Sequence, residues 1–107
     1  MYARVIDCKI IPDREAEFNS IFRNEVLPLL QQQPGFVDLL DLHSDTEPGR
    51  LVCLSLWNTK ADAERYAHDV FPSIDAKMRP VVLLGPGIRT FNVETSTFHR
   101  IAAGKAA

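Results

Sequence analysis

The stretch YARVIDCKII, residues 2–11, alternates along its length: Ile6, Cys8 and Ile10 point one way, Val5, Asp7 and Lys9 the other. A period of two marks a β-strand with one well-buried face. Immediately afterwards the period changes. In PDREAEFNSIFRNEVLPLLQQQ the residues Phe18, Ile21, Phe22, Glu25 and Leu29 fall at helical spacing, with acidic residues early, where the helix dipole favours them. Pro28 removes an interior hydrogen bond, so a kink or a broken last turn is expected there, and QPGF supplies the stop.

Residues 36–44 read as a second strand and residues 51–58 as a third, joined through SDTEPGR, whose Pro and Gly make a hairpin with a longish loop. In the third strand Val52, Leu54 and Leu56 form one face, and Leu51, Cys53, Ser55 and Trp57 the other. A helix capped by Thr59 follows, burying Ala63, Tyr66, Ala67 and Val70. FPSIDAKMRP adds a short helical segment bounded by Pro72 and Pro80. GIRTFNVETST closes the domain as a fourth strand, with Phe91 and Val93 opposed to Thr90, Asn92 and Glu94.

Strand, helix, strand, strand, helix, strand is the ferredoxin-like βαββαβ order. It implies an α+β fold: a four-stranded antiparallel sheet with the helices on one face. The domain is expected over residues 1–97, with 98–107 a frayed tail or an arm that orders against a partner. The other sheet face is expected to carry Val5, Leu51, Cys53 and Trp57, too apolar to be left in water. Two copies packed sheet to sheet would cover it by symmetry, so a homodimer is expected.

At 107 residues the chain fits one domain, short enough that association would add usefully to its buried surface. Its formal charge of −2, with Lys and Arg scattered, argues against nucleic acid and anionic membrane as partners, because both need a dense basic patch. The N-terminal alternation does not resemble a secretory signal, and no apolar run reaches membrane-spanning length, so a cytoplasmic protein is expected. Cys8 and Cys53 lack metal or redox spacing and read as free thiols in a reducing compartment. His43, His68 and His99 have no metal-ligand spacing, so no metal site is expected, and His68 reads as a solvated helix residue paired with Glu64. No phosphate loop or nucleophile elbow is present.

Two residues stand out chemically. Trp57 ends the third strand and suits either the core or the wall of a pocket for a flat aromatic molecule. Asp7, in mid-strand, needs a partner or a watery cleft. Desolvated in a cleft it would serve as a general base; the competing reading is an ion pair with Lys9 or Arg4, or a subunit-interface hydrogen bond. Asn92 and Ser55 are expected on Asp7's side, as hydrogen-bonding groups for substrate or for a subunit interface.

QQPGFVDLLDL followed by LVCLSLWNTKADAERYAHD resembles the antibiotic biosynthesis monooxygenase family of dimeric α+β barrels. The carriers are PGF at the start of the second strand and S-x-W at the end of the third, running into ADAERY. The resemblance covers residues 2–97 in element order. It implies a homodimer that oxidises a polycyclic or smaller phenol- or quinol-type aromatic with molecular oxygen and no bound cofactor. On that reading Asp7, Trp57 and Asn92 are the catalytic candidates, and Ser55, Cys53 and Tyr66 the substrate-binding ones. A non-catalytic ligand-binding or accessory protein, or a proton-transfer isomerase of the same superfamily, are the alternatives. Haem-degrading relatives place an iron-binding His just after the second helix, where residues 70–80 here have none.

Overall fold

The computed structural model describes residues 1–101, apart from the side chains of residues 84–86. Its elements are β1 (Tyr2–Ile10), α1 (Glu15–Ile21), a π-helical turn (Phe22–Val26), α2 (Leu27–Gln31), β2 (Phe36–His43), β3 (Arg50–Trp57), α3 (Lys60–Asp69), α4 (Phe71–Met78) and β4 (Val82–Asn92). The four strands form one antiparallel sheet in the order β2-β3-β1-β4. This is the ferredoxin-like arrangement, with the helices packed on one face.

Pro28 acts one turn earlier than a simple kink would. Lacking an N–H, it cannot donate the α-helical bond back to the preceding turn, and the chain widens into a π turn over Phe22–Val26. The wide turn moves the buried stripe by one position. It runs Phe18, Phe22, Val26, Leu30 rather than on to Glu25 and Leu29. Glu25 instead lies outside and pairs with Lys77 at 3.1 Å.

The PGF turn owes its glycine to a close approach. Gly35 has φ +80°, and a Cβ there would collide with the side chain of Asp62. Asp62 in turn caps α3 with Thr59: its N–H donates to Thr59 Oγ1 at 3.1 Å, and Thr59 Oγ1 donates to Asp62 Oδ2 at 2.9 Å. The Thr59 cap is thus formed as expected, and Ala63 and Tyr66 are buried below it.

Two expectations are corrected. The fourth strand begins at Val82, five residues before GIRTFNVETST, and ends at Asn92. Gly and Pro in residues 85–87 obscured its start, and the ladder with β1 shifts register there, between Asp7 and Cys8. The bare sheet face also has a different composition. Val5 pairs with Leu54, Asp7 with Val52, and Ala3 with both Leu56 and Phe91, so these residues share the outer face. Leu51, Cys53 and Trp57 lie on the opposite face, against the helices. In this register odd positions of β1 oppose even positions of β3, which alternation within each strand cannot reveal.

The outer face is apolar all the same. Leu40 and Leu42 on β2 are 45% and 50% exposed, and Phe91 on β4 is 49% exposed. Beyond β4 the chain reaches back across the sheet, bringing His99 Nε2 to 3.8 Å from Asp38 Oδ2 on β2. Part of the expected tail, residues 102–107, lies outside the described residues. No described helix is long and apolar enough to cross a membrane.

Candidate functional site

Between the helix-covered sheet face and α1–α4 lies a cavity of about 80 Å³, walled almost wholly by apolar atoms. The π turn contributes Phe22 and Val26, and α1, α3 and α4 contribute Phe18, Tyr66, Phe71, Ile74 and Met78. The sheet supplies the floor: Arg4, Ile6 and Cys8 from β1 and Leu51, Cys53 and Ser55 from β3.

The aromatic residues are ordered as a stack behind this space. Trp57 is fully buried, stacks on Tyr66 with centroids 4.7 Å apart, and meets Phe36 edge-on at 5.5 Å. Tyr66 meets Phe71 edge-on at 6.3 Å. Trp57 Nε1–H donates to Ser55 Oγ at 3.0 Å, and Ser55 Oγ reaches the backbone oxygen of Arg4 at 3.5 Å. Tyr66, rather than Trp57, faces the cavity. Trp57 fixes its position from behind.

Arg4 is the unexpected group. It is 4% exposed, and its guanidinium carbon sits 4.3 Å from the centroid of Phe71 and 5.6 Å from that of Tyr66. Its Nη1 is buried without a hydrogen-bond partner. Burial holds its pKa below the usual arginine value, opposed by Tyr66. Two cation–π contacts contribute about 2 kcal/mol each when desolvated. Burying an ion costs several kcal/mol, which the rings offset in part while leaving the Nη1 donor without an acceptor.

The same burial acts on the neighbouring acids. Tyr66 is pushed up to about 12 by desolvation, and Cys8 likewise to about 11. The Cys53 thiol is raised further, first by burial and then by Asp41. At neutral pH all three stay protonated. The carboxylate on the cavity wall is Asp75, held by Arg79 through Nε at 3.0 Å and Nη2 at 2.8 Å.

The structure therefore divides the expected site residues. Ser55, Cys53 and Tyr66 all line the cavity. Asp7, Trp57 and Asn92 do not. Asp7 projects from the opposite sheet face, where Arg50 donates to both its oxygens, and that contact lowers its pKa instead of raising it as a cleft base would require. Asn92 is exposed at the end of edge strand β4, opposite Tyr2, and so shares neither a face nor a pocket with Asp7. His68 is solvent-facing as expected, though its 2.7 Å contact is with Asp69 and not Glu64.

Arg4 and Asp75 were missed. For Arg4 the signal was available: it belongs to the same alternating set as Ile6, Cys8 and Ile10, a charge on the buried face of a strand. Asp75 lies one helical turn beyond Phe71 and carries no such signature.

Among solved structures, SnoaB from Streptomyces nogalater, a cofactor-independent oxygenase, is 18% identical, covers 92% of this chain and 97% of its own, and superposes with a TM-score of 0.75. MhuD, solved as a point mutant with two manganese protoporphyrin IX molecules per active site, is 17% identical over 92% of this chain and all of its own, TM-score 0.73. A conserved protein from Methanosarcina mazei is 15% identical over 84% of this chain and 89% of its own, TM-score 0.71. At these identities the likeness establishes the fold. No curated protein sequence matches this one significantly. The family model for antibiotic biosynthesis monooxygenases matches residues 1–69, from β1 through α3. The chain belongs to the antibiotic biosynthesis monooxygenase family.

Proposed function

We propose that the cavity is a site for monooxygenation of a flat, phenol- or quinol-type aromatic by molecular oxygen without a bound cofactor. The observation that carries this reading is the cavity itself, an apolar chamber walled by Tyr66 and Phe71 with a buried cation at one place in its floor. The lining of this chamber suits a planar hydrophobic body with one oxygen substituent, and the space of about 80 Å³ must widen on binding to admit a bicyclic one.

The chemistry balances without a reductant. A phenol with a free para position loses its proton, and the phenolate passes one electron to oxygen. The aryloxyl radical and superoxide join in a carbon–oxygen bond, and the resulting hydroperoxide loses water to leave a quinone carbonyl. One oxygen atom enters the ring, the other leaves as water, and the substrate supplies all four electrons. Asp75 replaces Asp7 as the carboxylate suited to accept the phenol proton: it lies on the cavity wall, and Arg79 holds only its Oδ2, whereas Arg50 occupies both oxygens of Asp7. The apolar walls keep bulk water from the radical pair. Ser55 and Cys53 shape the floor, and Trp57 holds Tyr66 in place.

A haem-based reaction is less well supported, because none of the described histidines lies on the cavity wall. The outer sheet face is best read as the surface by which two copies pair, leaving one cavity in each subunit.

The test is oxygen uptake by the purified protein with a panel of naphthols and anthrones. One oxygen consumed per quinone formed, without hydrogen peroxide, is expected, and Asp75→Asn should lower kcat. No uptake above the uncatalysed rate with any of the panel would sink the reading.

A further inference from the structure

Resting on the reading of the cavity as a substrate site, one residue of its floor bears on the charge of the ligand. We propose that Arg4 is an anion-holding residue: the cavity takes a planar aromatic bearing one ionised oxygen, held by the buried, unpartnered Arg4 guanidinium.

Three observations converge on Arg4. Its Nη1 is buried and unpartnered, in a wall that is otherwise almost wholly apolar. A guanidinium donor in such surroundings loses its hydration and gains nothing in exchange until an acceptor arrives. Second, the acids around it do not supply that acceptor. Tyr66, Cys8 and Cys53 are kept protonated, and Asp75 is engaged by Arg79. Third, Phe71 and Tyr66 both pack against the guanidinium, 4.3 and 5.6 Å from its carbon, which holds it in place without accepting any of its N–H bonds. An oxyanion there receives a charge-assisted hydrogen bond at low local dielectric, where such bonds are strong.

The oxygen has two chemical sources, a phenol that ionises on binding or a carboxylate on the ring. For a phenol the consequence is functional, since Arg4 would stabilise the electron-rich phenolate that oxygen can oxidise. An ether or unsubstituted arene of the same shape leaves Nη1 unpaired and is rejected.

The test uses binding rather than turnover. Calorimetry with 2-naphthol, 2-naphthoate and 2-methoxynaphthalene reads affinity, and the absorbance of bound 2-naphthol reads its ionisation. Wild type should bind 2-naphthoate, or 2-naphthol as its anion, at least tenfold more tightly than the ether. Arg4→Met should lose that preference while keeping its affinity for the ether, and Arg4→Lys should restore part of the preference. A preference for 2-naphthol alone assigns the phenolate, and one for 2-naphthoate alone the carboxylate. Equal loss of all three ligands in Arg4→Met, with Arg4→Lys no better, would reduce Arg4 to a packing residue and overturn the proposal. So would wild-type anion affinity in a folded Arg4→Met. Anion selectivity without oxygen uptake would leave this inference standing and remove the monooxygenase; uptake undiminished in Arg4→Met would do the reverse.

Discussion

Arg50 clasps Asp7 across neighbouring strands, its Nε 2.8 Å from one carboxylate oxygen and its Nη2 2.8 Å from the other. A two-pronged pair of this kind orients both side chains and joins the start of β3 to the middle of β1. It also removes Asp7 from acid–base work. Asp7→Asn should leave oxygen uptake unchanged and lower Tm at neutral pH. Because the folded pKa is depressed by Arg50, the pair stabilises fully above the ordinary carboxylate value of 3.8. That contribution fades as pH falls below it. Thermal melts from pH 7 to pH 3 should therefore converge for wild type and Asp7→Asn at the acid end. A loss of kcat in Asp7→Asn at unchanged Tm would contradict this assignment.

The Trp57 indole separates packing from catalysis. Trp57→Ala removes a fully buried ring from between Phe36 and Tyr66, at a cost of about 3–5 kcal/mol. Ser55→Ala leaves the indole N–H buried without its acceptor, a loss of about 1–3 kcal/mol. Urea unfolding should rank the two in that order. Since Ser55 also lines the cavity, Ser55→Ala should change KM, whereas Trp57→Phe should change stability far more than KM.

Burial of the cavity's weak acids sets an alkaline limit. Tyr66 is raised to about 12 and Cys8 to about 11 in the folded protein, from ordinary values of 10 and 9. Their neutral forms favour the fold, so the contribution is complete below the unfolded pKa values and is lost as pH rises through the folded ones. Each pH unit between the two values costs about 1.4 kcal/mol per group. Stability should begin to fall near pH 9, and Cys8→Ala should flatten the first part of that decline. A level stability profile from pH 8 to pH 11 would refute it.

How much of this was legible in the sequence depends on which physical rule each feature obeys. Alternation within β1, the Thr59 cap and the glycine of PGF are local, and they carried the element order and the family resemblance. The facing of strands is not local. Trp57 and Leu51 were grouped with Val5 because alternation sorts residues within a strand, while register between strands is set by pairing. The same gap misplaced Asp7, Asn92 and Ser55 on a common face. Pro28 announced an irregularity, but not that a π turn would move the buried stripe from Glu25 to Val26. Arg4 was readable by parity alone, as the charged member of an apolar set. Its missing hydrogen-bond partner needed three dimensions.

The outer sheet face makes the sharpest prediction about assembly. Leu40, Leu42 and Phe91 are each about half exposed, on the same sheet face as the half-buried Leu54 and the buried Val5 and Leu56. Covering a half-exposed Leu contributes about 1 kcal/mol. The double variant Leu40→Glu, Leu42→Glu acts in both copies of a symmetric dimer and should weaken it by about 4 kcal/mol, roughly a thousandfold in Kd. Light scattering at micromolar concentration should then report a dimer for wild type and a monomer for the variant. His68→Glu, on the solvent side of α3, should leave the mass unchanged. A monomeric wild type would refute the pairing, and a dimeric double variant would move the contact to another surface.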